Sequence, residues 1–318
     1  MEIPSISVVI PVFNSEAFLG MLMDRLHLEL TKLGVPFEVV LVNDGSRDRS
    51  WQVIGELAHK YPGVRGIDLM RNYGQHNALL CGIRVVNYDV VVTMDDDLQN
   101  PPEEIPKLLE KLAEGYDLVY GTPQKENHGF WREVASKLTK FALKKAMGTE
   151  MARNASSFRA FRTVIREAFA NYQSPFVSID FLLTWGTTRI SAIKVRHEPR
   201  QSGISNYTFG RLVTHALNMM TGFSTLPLQL ASMIGFIFTA FGLGVLVYVI
   251  GRYILEGTSV PGFPFLASII SIFSGAQLLA LGIIGEYLAR MHFRTMDRPY
   301  CVVKEELGGS SLSQEIRT

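Results

Sequence analysis

The sequence predicts an α/β domain with a mostly parallel sheet, followed by a C-terminal two-helix transmembrane hairpin. Strand-like and helix-like patterns alternate up to about Gly121, an order typical of a parallel sheet with helices on both faces. Two later stretches, residues 225–251 and 257–285, contain no charged residue. Each reaches the roughly 20 residues that a helix needs to cross a bilayer. The chain of 318 residues has room for a complete enzyme core beside this hairpin.

Five strands are predicted in the first part of the chain, each from a short run rich in β-branched or aromatic residues. They cover residues 5–11, 37–43, 64–68, 89–94 and 117–121, with helical patterns between them. The first strand starts without a preceding cationic segment, so no signal peptide is expected. Pro11-Val12-Phe13-Asn14 ends this strand, where a dinucleotide-binding protein would carry a glycine-rich turn. The pattern therefore argues against hydride-transfer chemistry.

Three consecutive carboxylates, Asp95, Asp96 and Asp97, follow the fourth predicted strand. Such charges repel one another unless a cation or strong donors compensate them, and hard divalent cations prefer oxygen ligands. Asp44, after the second strand, is expected at the same sheet edge, where both groups could share a ligand. A solvated acidic turn that leads into a helix at residues 101–104 stays open as the alternative, because proline and acidic residues favour a first helical turn.

Two amphipathic segments flank the predicted membrane region. Residues 130–147 combine an apolar face with five cationic side chains, which is typical either of a helix on a lipid surface or of a core helix with extended lysines. Residues 207–224 lead into the first span as a juxtamembrane amphipathic helix. The predicted organisation is a cytoplasmic domain over 1–206, this helix, two spans over 225–290 and a cytoplasmic tail over 291–318.

Charges around the two spans predict their orientation. Arg211 precedes the first span and Arg290, Arg294 and Arg298 follow the second, whereas only Arg252 lies between them. The positive-inside rule then places both termini in the cytoplasm and the protein in the inner membrane as a multi-pass protein. Two cysteines are too few for a disulfide framework. A net charge of +1 without a basic, aromatic groove gives no sign of nucleic-acid binding, and self-association into a homo-oligomer stays open.

Four ordered motifs give the chain a specific resemblance. They are VVIPVFN at 8–14, VNDGSRD at 42–48, RNYGQHNA at 71–78 and MDDDLQNPPE at 94–103. In this order they resemble family 2 glycosyltransferases with a GT-A fold, a Rossmann-like arrangement. RQSGISNY at 200–207 and GEYLAR at 285–290 extend the resemblance to the polyprenyl-phosphate glycosyltransferases with two C-terminal spans. The resemblance covers nearly the whole chain.

The resemblance implies roles for particular residues. Asp95, Asp97 and Gln99 would hold Mg2+ or Mn2+ at the donor diphosphate, and Asp95 and Asp97 together with Arg200 would form the catalytic set. Pro11 and Asp44 would contact the base and ribose of the nucleotide. Further candidates for substrate contacts lie in or beside the matched motifs and are Arg71, Asp96, Ser157, Arg159, Ser205 and Tyr207.

The implied activity is the inverting transfer of a sugar from a nucleotide-diphosphate donor, expected to be a UDP-sugar, to the phosphate of a membrane carrier. Undecaprenyl phosphate is the expected carrier, and its product would serve cell-envelope or lipopolysaccharide glycosylation. The partners would then be the donor, the polyprenyl phosphate and the lipid bilayer.

Three positions depart from the motifs of many relatives. Ser156-Ser157-Phe158-Arg159 stands where Gly-Asp-Phe-Arg is frequent, Ser205-Asn206-Tyr207 replaces Ser-Lys-Tyr, and Pro123-Gln124 lacks an arginine. The missing carboxylate leaves a membrane-anchored donor-binding subunit without turnover as one alternative. Transfer to a lipid hydroxyl is the other, and it would need a general base, for which Asp96 is a candidate.

Overall fold

The structure is a computed structural model that describes residues 4–123, 155–174, 177–198, 226–256, 262–296 and 299–308. The chain divides into two compact units. One unit is built around a β-sheet and includes residues from both ends of the chain. The other contains the two long apolar helices.

The described part of the sheet unit forms an eight-stranded sheet in the order β7-β5-β6-β4-β1-β2-β3-β8. Pairings of β1 with β2 and β4, of β2 with β3 and of β5 with β7 are parallel. Pairings of β6 with β4 and β5 and of β8 with β3 are antiparallel. The strands are β1 Ile6–Val12, β2 Phe37–Asn43, β3 Val64–Leu69, β4 Val90–Thr93, β5 Leu118–Pro123, β6 Arg159–Arg162, β7 Ile190–Val195 and β8 Val303–Leu307.

Helices cover both faces of this sheet. Val8 and Ile10 of β1 pack in one buried cluster with α1, α2 and α4, whereas Val9, between them, packs in a second cluster with α3 and α5. This alternation follows from the two-residue period of a strand. The helices are α1 Leu19–Lys32, α2 Ser50–Lys60, α3 Gln75–Arg84, α4 Ile105–Ala113 and α5 Ile179–Gly186, with 3-10 helices at Pro102–Glu104 and Thr163–Phe169.

Gly82 lets the C-terminal half of α3 lie close to β1 and β2. A Cβ at this position would lie 2.5 Å from Cγ1 of Val9 and 3.0 Å from Cγ2 of Val42. These valines are fully buried, and burial of each stabilises the fold by about 1.5–3 kcal/mol. A Gly82→Ala change would push α3 away from β1 and β2.

The mostly parallel sheet predicted from the sequence is confirmed, and its five predicted strands correspond to β1–β5. Strands β6, β7 and β8 were not predicted. The last lies within residues 291–318, which the sequence suggested were a tail, and it pairs antiparallel with β3. The C-terminal segment therefore completes the sheet at its edge.

Two long helices make up the described core of the second unit. They are α6 Leu226–Glu256 and α7 Phe263–Thr295. The stretches Pro227–Leu255 and Ile272–Ala289 have mean hydropathies of 2.4 and 1.5, and no residue in the most apolar window of either stretch is buried in protein. Gly242 faces Phe273, whose ring would lie 3.1 Å from an added Cβ. The two predicted spans are thus confirmed as helices that are long and apolar enough to cross a membrane.

Candidate active site

Three loops meet at one edge of the sheet because β1 pairs in parallel with both β2 and β4. This is the edge at the carboxyl ends of parallel strands, where open α/β sheets bind ligands. The loops contain residues 13–15 after β1, 44–46 after β2 and 95–97 after β4.

Asp44 is buried directly after β2 and is held by backbone donors. The amides of Tyr73 and Gly74 donate to its two carboxylate oxygens at 2.7 and 2.9 Å. Burial raises the pKa of Asp44, and the two amide hydrogen bonds oppose that rise. Because each oxygen retains further acceptor capacity, the carboxylate can still accept hydrogen bonds from a ligand in a fixed direction.

Gly45 allows the loop after β2 to lie against the segment that follows β3. Its φ is +65°, and a Cβ would lie 2.5 Å from the amide nitrogen of Asn72 and 2.6 Å from the carbonyl carbon of Arg71. Only glycine tolerates both conditions. Arg71 itself is exposed, with its guanidinium 4.4 Å from the ring centre of Tyr73. Arg71, a predicted substrate contact, therefore lies beside the residue whose backbone amide holds Asp44.

Asp96 ties the loop after β4 to the loop after β1. Its Oδ2 accepts hydrogen bonds from the amide of Phe13 at 3.1 Å and from the hydroxyl of Ser15 at 2.5 Å. Burial raises the pKa of Asp96, and these donors oppose the rise. Pro11 lies just before this loop, buried within β1 and paired with Val42. In this position Asp96 joins the two loops at the sheet edge where a ligand would bind.

Asp95 is held by side chains rather than by the backbone. Nε2 of Gln75 donates to its Oδ1 at 2.6 Å, and the hydroxyl of Ser157 donates to its Oδ2 at 2.5 Å. Burial raises the pKa of Asp95 to about 6, the Ser157 hydrogen bond opposes this, and repulsion from Asp97 and Asp96 adds to it. The ionised form of Asp95 is therefore costly in the absence of a cation.

The chain bends sharply after the acidic motif. Leu98 has a φ of +61°, a conformation that costs a non-glycine residue of order 1–3 kcal/mol, and its side chain is buried in the core. The amide of Gln99 donates to Asp97 at 3.2 Å, and its carbonyl accepts the amide of Glu198 at 2.9 Å. Arg25 contacts both Glu103 and Glu198 through its guanidinium. The segment after β7 is thus fastened beside the acidic motif.

An open pocket of about 220 Å³ lies next to Asp95. Arg159 is 1% exposed there; its Nε donates to the hydroxyl of Thr93 at 3.0 Å, and a terminal nitrogen pairs with the carboxylate of Asp180. Asp180 stands in the first turn of α5, where a negative charge is favourable. The described lining consists of Gln75, His76, Asp95, residues 155–157, Arg159 and Asp180.

The residues of the acidic motif fit a hard divalent cation. Among the described residues, no group of three or more His, Cys, Asp or Glu side chains is placed to hold a metal alone. Mg2+ sites commonly use one or two carboxylates, with substrate phosphates and water as the other ligands, and Asp95 and Asp97 with the side-chain amide oxygen of Gln99 match that donor set. The raised pKa of Asp95 supports the assignment, because a cation would relieve the repulsion among the carboxylates.

Three predicted site residues, Arg200, Ser205 and Tyr207, lie outside the described residues, as do the amphipathic segments 130–147 and 207–224. The described chain stops two residues before Arg200, at Glu198, whose amide contacts Gln99.

Gln75, His76 and Asp180 line the pocket but were not nominated from the sequence. Gln75 and His76 lie inside a motif that carried the resemblance, so their position was the available signal. The sequence signal for Asp180 was weaker: it is the one carboxylate in the helix Ile179–Gly186. Its pairing with Arg159 joins positions 21 residues apart, which no local pattern specifies.

Comparisons with known proteins agree on the class of enzyme. The model of the family described as Glycosyl transferase family 2 matches residues 7–171. The chain is 34% identical over 320 residues to the undecaprenyl-phosphate 4-deoxy-4-formamido-L-arabinose transferase of Pectobacterium carotovorum, covering 99% of this chain and 98% of that protein. It is 37% identical to the protein of the same name from Pseudomonas aeruginosa strain PAO1, covering 92% of this chain and 88% of that protein.

Solved structures share the fold. A glucosyl-3-phosphoglycerate synthase from Mycobacterium tuberculosis, in complex with Mn2+, UDP-glucose and phosphoglyceric acid, matches 69% of this chain and 79% of its own, with a TM-score of 0.53 and 19% identity. A complex of the same synthase with Mn2+, UDP and glucosyl-3-phosphoglycerate gives a TM-score of 0.52 and 20% identity. At this identity the likeness concerns the fold alone.

Proposed function

The chain belongs to glycosyl transferase family 2 and is a glycosyltransferase, and on this premise we propose that it transfers a sugar from a UDP-sugar to undecaprenyl phosphate. The resemblance seen in its motifs is thereby confirmed at the level of the family. The observation that carries the proposal is the end-to-end similarity to undecaprenyl-phosphate transferases, which includes both apolar helices. The product would be a polyprenyl-phosphate-linked sugar for cell-envelope or lipopolysaccharide glycosylation.

The donor nucleotide would bind at the ends of β1 and β2. Asp44 supports this role because its two oxygens are fixed by backbone amides and can accept hydrogen bonds from the base or ribose. Pro11 would contact the base from the neighbouring strand. Arg71, exposed at the rim, would approach the diphosphate, since guanidinium groups suit phosphate oxygens.

Asp95, Asp97 and Gln99 would hold Mg2+ or Mn2+ at the donor diphosphate. When bound, the cation would stabilise the negative charge that develops on the departing diphosphate. Gln75 and Ser157 support this arrangement by orienting Asp95 through hydrogen bonds to both of its oxygens. Supporting groups of this kind typically change metal affinity by about 10–100-fold when removed.

The acceptor requires little activation by the protein. A phosphate monoester has a second pKa of about 6, so the carrier phosphate is mostly dianionic at neutral pH. Its oxygen would attack the anomeric carbon as the bond to the diphosphate breaks, which inverts the configuration in a single displacement. A serine at position 157, where many relatives have aspartate, is compatible with this reaction. Arg200, with Ser205 and Tyr207, would bind and orient the phosphates.

The chain path supports a hairpin that crosses the membrane twice. Strand β8 follows α7 in the chain but pairs with β3, which precedes α6. If α6 crosses a bilayer, α7 must cross back before β8 joins the sheet. By the positive-inside rule, the arginines near the hairpin ends favour the cytoplasm for this side. Reporters inserted at Thr258 and fused after Thr318 should therefore lie on opposite sides; finding both on one side would refute the hairpin.

The function is tested by incubating the purified full-length protein in lipid nanodiscs with a panel of UDP-sugars, Mg2+ or Mn2+, and either undecaprenyl phosphate or undecaprenol. We expect a lipid-linked sugar with the phosphate acceptor only. Equal transfer to undecaprenol would favour the hydroxyl-acceptor alternative. Metal-dependent UDP binding with no transfer from any donor would favour a donor-binding subunit without turnover.

A further inference from the structure

The pocket beside Asp95 has the size of a site for one sugar ring. Its volume of about 220 Å³ is below the range of about 300–1,000 Å³ that is usual for drug-sized ligands. A whole nucleotide sugar would not fit, but one ring-sized part of it would. Asp95 connects this pocket to the metal motif, so a donor whose diphosphate lies on that motif would place its sugar ring at the pocket.

The described lining of this pocket contains more negative than positive groups. Two carboxylates, Asp95 and Asp180, belong to its described lining, against the one guanidinium of Arg159. That guanidinium is directed to internal partners: it pairs with Asp180 and donates to Thr93. The described lining therefore offers acceptors and neutral donors to a ligand, while its guanidinium is paired with Asp180.

The neutral part of the lining is also polar. Ser157 donates its hydroxyl to Asp95, and the hydroxyl of Ser156 accepts the amide of Phe158 at 3.2 Å. The amide of Ile179 lies 3.4 Å from Nδ1 of His76, which leaves the ring proton of a neutral imidazole on Nε2. Groups of this kind suit hydroxyl, amide or amine substituents. A carboxylate on the sugar would instead meet a described lining whose net charge is negative, because Asp180 neutralises Arg159 and Asp95 remains.

Resting on the proposed function, we propose that Asp180 determines donor specificity: by holding the guanidinium of Arg159 it makes the pocket select sugars without a carboxylate group and reject uronic acids. Position 157 lacks the carboxylate of many relatives, and Asp180 brings a carboxylate to the same pocket from α5. Juxtaposed like charges weaken binding. With its guanidinium held in this pair, Arg159 would not attract anionic sugars from the pocket wall.

The test compares two donors that differ by one group, UDP-glucose and UDP-glucuronic acid, bound by the full-length protein in nanodiscs with Mn2+ and measured by competition against labelled UDP. We expect wild type to bind UDP-glucose at least roughly tenfold more tightly than UDP-glucuronic acid. Asp180→Asn frees the Arg159 guanidinium and should shrink this ratio by roughly tenfold. Asp180→Glu, which retains the charge, should preserve the preference.

A matched control is Asp117→Asn. Asp117 accepts the hydroxyl of Thr187 at 2.7 Å and pairs with Arg162, but it does not line the pocket; its variant should keep the wild-type ratio. If labelled UDP binds and wild type takes UDP-glucuronic acid as tightly as UDP-glucose, the inference is wrong while the proposed function stands. Absence of UDP binding would overturn both. An Asp180→Asn protein that keeps the wild-type ratio would also overturn the inference. Should this variant fail to fold, Asp180→Ser, which removes the same charge, replaces it in the comparison.

Discussion

Asp44 and Asp95 both follow parallel strands at one sheet edge, but different groups hold them. Two backbone amides bind Asp44, whereas the side chains of Gln75 and Ser157 bind Asp95. Burial raises the pKa of both, and only Asp95 has acidic neighbours that raise it further. Backbone donors are part of the fold, so they make Asp44 a fixed element of structure. Side-chain donors can rearrange, so Asp95 is suited to a ligand that binds and dissociates.

This difference predicts that variants of the acidic motif lose activity without losing stability. Asp97→Asn removes one of three repelling carboxylates, so the free energy of unfolding of the metal-free protein should stay constant or rise. Transfer should fall by roughly 100-fold or more, the usual cost of removing a group that stabilises developing charge. Rates at saturating donor, measured against Mn2+ concentration, with thermal unfolding in a chelator, check both halves of the prediction.

Asp96→Asn is the matched control for this experiment. Asp96 accepts its hydrogen bonds from Phe13 and Ser15 at the end of β1, so its variant should lose less activity and leave the dependence on Mn2+ unchanged. A wild-type rate for Asp97→Asn would refute the metal assignment. An equal loss in both variants would mean that the motif acts as one charge cluster, without the division of roles proposed for its members.

The opposite behaviour is expected of Asp44. In Asp44→Asn the new amide can accept only one of the two backbone hydrogen bonds, and its NH2 group would face the other donor. One buried amide of Tyr73 or Gly74 is then left without a partner, which costs about 1–3 kcal/mol of stability. Thermal unfolding of the metal-free protein should show this loss, and UDP affinity should weaken. An unfolding midpoint equal to that of Asp97→Asn would contradict the comparison.

The contrast between Asp44 and Asp95 also separates what the sequence predicts about this site from what it does not. Asp44 and the Asp95–Asp97 group were predicted at one edge because β-branched runs ended in polar residues, and parallel strands align their carboxyl ends. The buried strand β4 is a clear example of such a run. The contacts of Asp95 could not be predicted, because Ser157 reaches it from 62 residues away through β6, a short strand with an arginine at each end.

Edge strand β8 shows a second limit of prediction. Its sequence VKEEL has three exposed charged residues in its middle, a composition that protects sheet edges from aggregation and also resembles a solvated tail. The structure fixes it through Lys304, whose Nζ lies 2.9 Å from Asp68, and through Glu305, which accepts the indole N–H of Trp51. These partners lie more than 200 residues away, so no local pattern specifies them.

The smallest expected effect concerns the hydroxyl of Ser157. It donates to Asp95 and lowers the pKa of that carboxyl against the effect of burial. In Ser157→Ala the pKa of Asp95 should rise further above its wild-type value of about 6. Transfer at neutral pH and saturating Mn2+ should fall by roughly tenfold, the lower end of the roughly 10–100-fold range seen when a group that supports a metal ligand is lost.

The pH dependence of stability tests the same contact without any substrate. An unfolded Asp has a pKa of about 4, so between about pH 4 and pH 6 the folded metal-free protein holds a proton on Asp95 that the unfolded chain has lost. Its free energy of unfolding should therefore fall as pH rises through this window and level off above it.

Ser157→Ala should extend the fall to higher pH and deepen it by about 1 kcal/mol, the value of one hydrogen bond, whereas Asp95→Asn should remove this component. Unfolding curves in a chelator from about pH 4 to about pH 8 measure all three proteins. If Ser157→Ala reproduces the wild-type profile, the hydroxyl does not support Asp95; if it loses transfer as completely as Asp97→Asn, Ser157 acts on the substrate directly.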